Sequence, residues 1–141
     1  MSSAMLSPQA TAGHRAAQLE GFGRIVLASL FVIAGVHKAI DPETPLRMMA
    51  SAGLQPAWLL LPLTIALQLI CGMLVAIGRR GAVAAALILA LYCLAVNLFL
   101  HRFWTLSGHD FEVEISLFFK NVAIAGALLM AAGHMLAKRQ P

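Results

Sequence analysis

The chain has 141 residues, 60% of them hydrophobic and 11% charged, with a formal net charge of +4. Soluble proteins average roughly 25% charged residues, and a chain this short has a large surface to cover. An ordinary water-soluble domain is therefore excluded. The basic residues cluster at the ends of apolar runs without aromatic interleaving, which argues against a nucleic-acid partner.

Met1 to Gln18 is polar, with Ser, Ala, Thr, Pro and Gly. It lacks a basic start followed by an apolar core, so it does not read as a cleavable signal peptide. Residues 1–20 are expected to form a disordered cytoplasmic tail. The first apolar run, 21–40, ends in Val36-His37-Lys38. Asp41 to Pro56 follows, with Pro42, Pro45, Gly53 and Pro56, and it is long enough for a short interfacial helix after the Asp41-Pro42 break. The second run, 57–78, closes in the tight turn Gly78-Arg79-Arg80-Gly81. The third run, 82–103, gives way to the polar stretch Trp104 to Glu112. The fourth, 113–136, leaves a short tail at 137–141.

Each run has about 20 residues or slightly more, enough to cross a ~30 Å hydrocarbon core at ~1.5 Å per residue. Only a helix satisfies its own backbone there at such lengths. The expected fold is an all-α integral membrane four-helix bundle of antiparallel, up-and-down topology. One side holds six basic residues, Arg15, Arg24, Arg79, Arg80, Lys138 and Arg139. The other holds Lys38, Arg47, Arg102 and Lys120. Positive loops stay inside, so both termini are expected in the cytoplasm of a bacterial inner-membrane protein. Trp58 and Trp104 then fall at the outer interface, where indoles are favoured.

Polar groups at membrane depth default to a functional hypothesis. His37 and Lys38 end the first helix. Gln68 lies about 15 Å along the second. Asn97 and His101, four apart, share a face of the third. Lys120 and Asn121 lie about 10 Å into the fourth. A bundle can turn Lys38, Gln68, Asn97, His101, Lys120 and Asn121 inward around one ligand-binding pocket in its outer half. Gln68 and Asn97 equally suit interhelical hydrogen bonding, and Lys38 and His101 equally suit snorkelling. Lys120 is deeper, and Glu112 and Glu114 stand eight and six residues before it, off the ideal helical spacing. It reads as a site residue or as half of a buried pair with an outer-loop acid. No catalytic residue can be named.

Cys71 and Cys93 form no CxxC and join no Cys/His cluster, so no metal site is expected. Their depths, about 10 and 18 Å from the same turn, disfavour a disulfide. Both read as packing residues, and Gly72, Ala123, Gly126 and Ala127 suit close helix contact. Without paired reactive cysteines, a quinone-linked thiol oxidase of the four-helix kind is largely excluded.

Several features in order carry a resemblance: Gly35-Val36-His37-Lys38 with Asp41-Pro42, Gln68 with Gly72, Gly78-Arg79-Arg80, His101-Arg102-Phe103-Trp104, and Lys120-Asn121 before Gly126. Over about Gly21 to Gly133 the chain resembles the DoxX family of small four-helix membrane proteins. Many members look like they carry an acidic residue where this chain has Gln68. Glutamine hydrogen-bonds but neither carries a proton nor neutralises Lys120. The resemblance implies association with sulfur or thiol redox chemistry and the quinone pool, or with oxidative-stress complexes. The residues supply no flavin, haem or iron–sulfur motif, so electron transfer would require a bound quinone or a redox partner protein. Three roles stay open: a redox-associated subunit, a non-catalytic anchor or assembly module (as partner or homo-oligomer), and a small transporter. The last ranks third for want of an inverted repeat or broken helix.

Overall fold

The computed structural model describes residues 8–138. Within them the chain is helical throughout, in five segments: α1 Pro8–Ile40, α2 Glu43–Ser51, α3 Ala57–Ile77, α4 Ala82–Phe99 and α5 Gly108–Ala137, with a 3-10 turn at Phe103–Thr105. Four stretches are long and apolar enough to cross a membrane: Thr11–Ile40, Ala57–Ile77, Ala82–Thr105 and Gly108–Ala137. The all-α, four-span architecture expected from hydropathy is what the chain adopts, and its spans contact the lipid bilayer.

Three boundaries differ from the expectation. The segment 8–20, read as disordered tail, is the start of α1. Proline suits the first helical turn, and Ala-rich sequence from Thr11 to Glu20 favours helix over coil. Residues 1–7 of that expected tail, like 139–141 of the other, lie outside the described residues. The third span ends as α-helix at Phe99 rather than 103, so His101 lies beyond it. The fourth starts at Gly108 rather than 113. The interfacial helix expected after Asp41-Pro42 is α2. Its Met49 is buried against Ala57 and Leu61 at the head of α3.

The interior sits mainly toward the Gly78–Gly81 turn. Ala28 and Phe31 of α1, Cys71 and Val75 of α3, Ala85, Ala86 and Leu89 of α4, and Ala125 and Leu128 of α5 form one buried cluster. Small residues let the backbones approach. A Cβ on Gly72 would stand 3.0 Å from Val32 Cγ2 and 3.4 Å from Ala28 O, and one on Gly35 would stand 3.0 Å from the Leu69 side chain. The α1–α3 crossing therefore rests on both glycines. Gly126 does not share that role: nothing lies within 4 Å of a Cβ there. Ala123 and Ala127 are likewise exposed, because the inward stripe of α5 is Asn121, Ala125, Leu128, Ala132 and Met135.

The turn end is tied by ions. Gly78 adopts φ +70° as the left-handed cap of α3, and a Cβ there would collide with the Arg24 guanidinium. Arg24 Nε donates to Ala76 O at 3.4 Å. Arg24 also pairs with Glu20 at 3.6 Å, and Lys138 of the α5 cap pairs with the same carboxylate. His134 Nε2 stands 3.5 Å from it. Beside this cluster α1 and α5 leave a groove of about 540 Å³ between them, lined in part by Glu20, Arg24 and His134.

Candidate functional site

At the opposite end, under α2, the helices separate around a cavity of about 310 Å³. Each helix contributes. Lys38 reaches it from the last turn of α1, Met48 and Met49 roof it from α2, and Gln68 lines it from α3. Tyr92, Cys93, Val96 and then His101 line it from α4 and the chain beyond, and Asn121 lines it from α5. The spacing explains the convergence. Phe31 and Lys38 are seven apart on α1, and Cys93 and Asn97 are four apart on α4, so each pair shares one face.

Of the six residues expected around a pocket, four line this cavity: Lys38, Gln68, His101 and Asn121. Asn97 stands directly behind them, 1% exposed. Its Nδ2 donates to Phe118 O at 2.9 Å, and its Oδ1 accepts from Asn121 Nδ2 at 3.0 Å. Asn97 is thus the interhelical link that joins α4 to α5 and turns Asn121 toward the cavity. His37 is exposed, one residue off the inward face.

Lys120 is the correction. It is exposed on the outside of α5 and lines no part of the cavity. Neighbouring residues on a helix stand about 100° apart, so with Asn121 held inward by Asn97, Lys120 must point away. Among the described residues it makes no ion pair. The acid that could have met it, Glu114, faces His101 instead, with Oε2 2.8 Å from His101 Nδ1. Glu114, Phe118 and Asn121 succeed one another at spacings of four and three, so they share the inward stripe that Lys120 misses.

The polar groups differ in how far they are committed. Lys38 Nζ donates back to Ala34 O at 3.3 Å, using one of three protons. His101 Nδ1 is held by a carboxylate, which favours the proton on Nδ1 and leaves Nε2 free. Gln68 is 4% exposed, and its Oε1 is buried without a hydrogen-bond partner. It is the only buried side-chain N or O so placed among the described residues. Leaving such an atom unmet costs about 1–3 kcal/mol, so the position is one that a ligand group would improve.

Sequence reading missed two contributors. Tyr92 lines the wall between the cavity and the neighbouring apolar space. A lone tyrosine in an apolar run carries little signal, and five residues before Asn97 is not a same-face spacing. Glu114 carries no signal of its role in the sequence, because its partner His101 lies thirteen residues away on the other side of a turn. The aromatic support was also invisible: Phe103 stacks edge-on against Phe118 at 5.1 Å, Trp104 at 5.3 Å and Phe111 at 5.9 Å. This cluster fastens the 3-10 turn to α5 and brings His101 beside Glu114. Cys71 and Cys93 are both buried and free.

Comparison with known proteins bears on this geometry. The family model described as DoxX matches residues 21–102, more than half of the chain. The chain belongs to the DoxX family. The matched stretch takes in the spans from α1 to α4 and therefore Lys38, Gln68, Tyr92, Asn97 and His101, while Glu114 and Asn121 lie beyond it. A relative, the inner membrane protein YphA of Escherichia coli (strain K12), is 28% identical over 109 residues, covering 77% of each chain. No solved structure matches the chain. Four apolar spans and an inner-membrane relative make this DoxX protein a multi-pass inner-membrane protein.

Proposed function

We propose that this DoxX protein is a redox-associated membrane subunit whose cavity under α2 holds the ring of a quinone-class ligand, with a partner protein supplying electrons. The observation that carries the reading is the convergence of Lys38, Gln68, Tyr92, His101 and Asn121 on one cavity, with the Gln68 amide oxygen buried beside it and unpaired. A quinone offers carbonyl acceptors and its reduced form offers hydroxyl donors. Lys38 Nζ and the Tyr92 hydroxyl are donors suited to a carbonyl. The Gln68 carbonyl is suited to a hydroxyl, and rotation of the amide presents N–H instead. His101, oriented by Glu114, can carry a proton at Nε2. The cavity volume is at the lower end of small-molecule sites, the size of a ring rather than of a whole lipid.

The proposal includes orientation: both termini cytoplasmic and the cavity in the outer half of the bilayer. Charge asymmetry supports it, with Arg24, Arg79, Arg80 and Lys138 gathered at the turn end.

Equilibrium binding of a short-chain benzoquinone to the protein in nanodiscs tests the reading. Gln68→Leu and Lys38→Met should each weaken binding about tenfold, the loss of one good hydrogen bond in a dry site. Undetectable wild-type binding, or variants that bind as wild type does, would overturn it. A constant copurifying partner together with undetectable binding would favour the anchor role instead.

A further inference from the structure

The cavity shares a wall with a second one. Met49, Tyr92, Val96 and Leu100 also line a cleft of about 180 Å³ between α3 and α4. The other walls of the cleft include Leu60 and Thr64 of α3 and Ala95 and Phe99 of α4. Its character is different. Apart from Tyr92, its one side-chain hydroxyl, Thr64 Oγ1, donates to Leu61 O at 2.8 Å, so the surface offered is apolar. Phe99 at its edge is 49% exposed, on the lipid side of the helix pair. Beside the seam, Met49 and Leu46 of α2 pack against the head of α3.

We propose that the two cavities form one site for a membrane-dissolved amphiphile. Its hydrogen-bonding head lies among Gln68, Tyr92, His101 and Asn121. Its hydrocarbon tail runs over Thr64 and Ala95 and leaves between α3 and α4 past Phe99 into the bilayer. This rests on the function proposed above and adds the class of ligand, tailed rather than water-soluble, and its lateral route. The shared wall carries the inference: only the side chains of Met49, Tyr92, Val96 and Leu100 stand between a polar compartment of ring size and an apolar one at the lipid face, and a turn of the unbranched Met49 side chain would join them. Hydrocarbon gains little by moving from lipid into such a cleft. The cleft therefore acts by shape, and blocking it should exclude a tail without disturbing a tail-free ring.

The test compares a decyl-tailed benzoquinone with the same ring lacking the tail, titrated into wild type and Ala95→Phe in nanodiscs. Thr64→Leu, which fills the cleft from the facing wall, serves as a second variant, and thermal melts identify any variant that fails to fold. At least tenfold weaker binding of the tailed ligand, with the tail-free ring within about twofold of wild type, is the expected result. Equal effects on both ligands, or none on either, in a folded variant would overturn the tail route while leaving the head site standing. Wild type that binds neither ligand would overturn the head site and the route with it.

Discussion

Gln68 and Asn97 are both amides buried at the centre of the bundle, and they have opposite fates. Asn97 is satisfied by Phe118 O and Asn121, whereas Gln68 Oε1 is not. Their substitutions should therefore differ in sign. Asn97→Leu removes a link between α4 and α5 and is expected to destabilise by about 1–2 kcal/mol, lowering the melting temperature in detergent. Gln68→Leu removes an unmet polar atom and should raise the melting temperature of ligand-free protein, by on the order of 1 kcal/mol, while weakening ligand binding. A lower melting temperature for Gln68→Leu would mean that the amide is satisfied without a ligand. Glu114 acts on His101 alone, as a positioning residue. In Glu114→Leu the preference for a proton on Nδ1 should be lost, which the His101 nitrogen chemical shifts report directly and which a purely packing role would leave unchanged.

At the scale of the helix, hydropathy identified the right segments and missed their ends. Apolar length is read directly from composition, because lipid tolerates little else. The ends are set by contacts: Glu20 binds Lys138, and His101 leaves the helix where Glu114 and Phe118 are waiting. Direction on the helix was the harder matter. Lys38, Gln68, Asn97, His101 and Asn121 were legible as a group because a polar group in hydrocarbon is conspicuous wherever it points. Lys120 was conspicuous for the same reason, and only the Asn97–Asn121 bond shows that it points outward. The glycines divide similarly. Gly72→Leu should break the α1–α3 crossing at a cost of about 1–3 kcal/mol or more, whereas Gly126→Leu, with open space at its Cβ, should leave the melting temperature near wild type. Parallel melts of the two variants check both expectations.

For the whole molecule, the proposed orientation depends on the basic residues gathered at the turn end. A reporter active only in the cytoplasm, fused after Pro141, should be active; an inactive fusion with an active periplasmic reporter would move the cavity to the inner half of the bilayer. The packing order has a separate consequence. Helix contacts run in series, α1 on α3, α3 on α4, α4 on α5, while α1 and α5 meet mainly through Glu20, Arg24, His134 and Lys138. Such a bundle is an open curve rather than a closed ring, with two flanks and a central pair. Load on either terminal helix can be relieved by widening the free seam, a motion that spreads the flanks without shearing the α3–α4 interior. Lys38 of one flank and Asn121 of the other both line the cavity, so that spreading would widen the room for a head group, while the cleft between α3 and α4, which neither flank lines, would keep its shape.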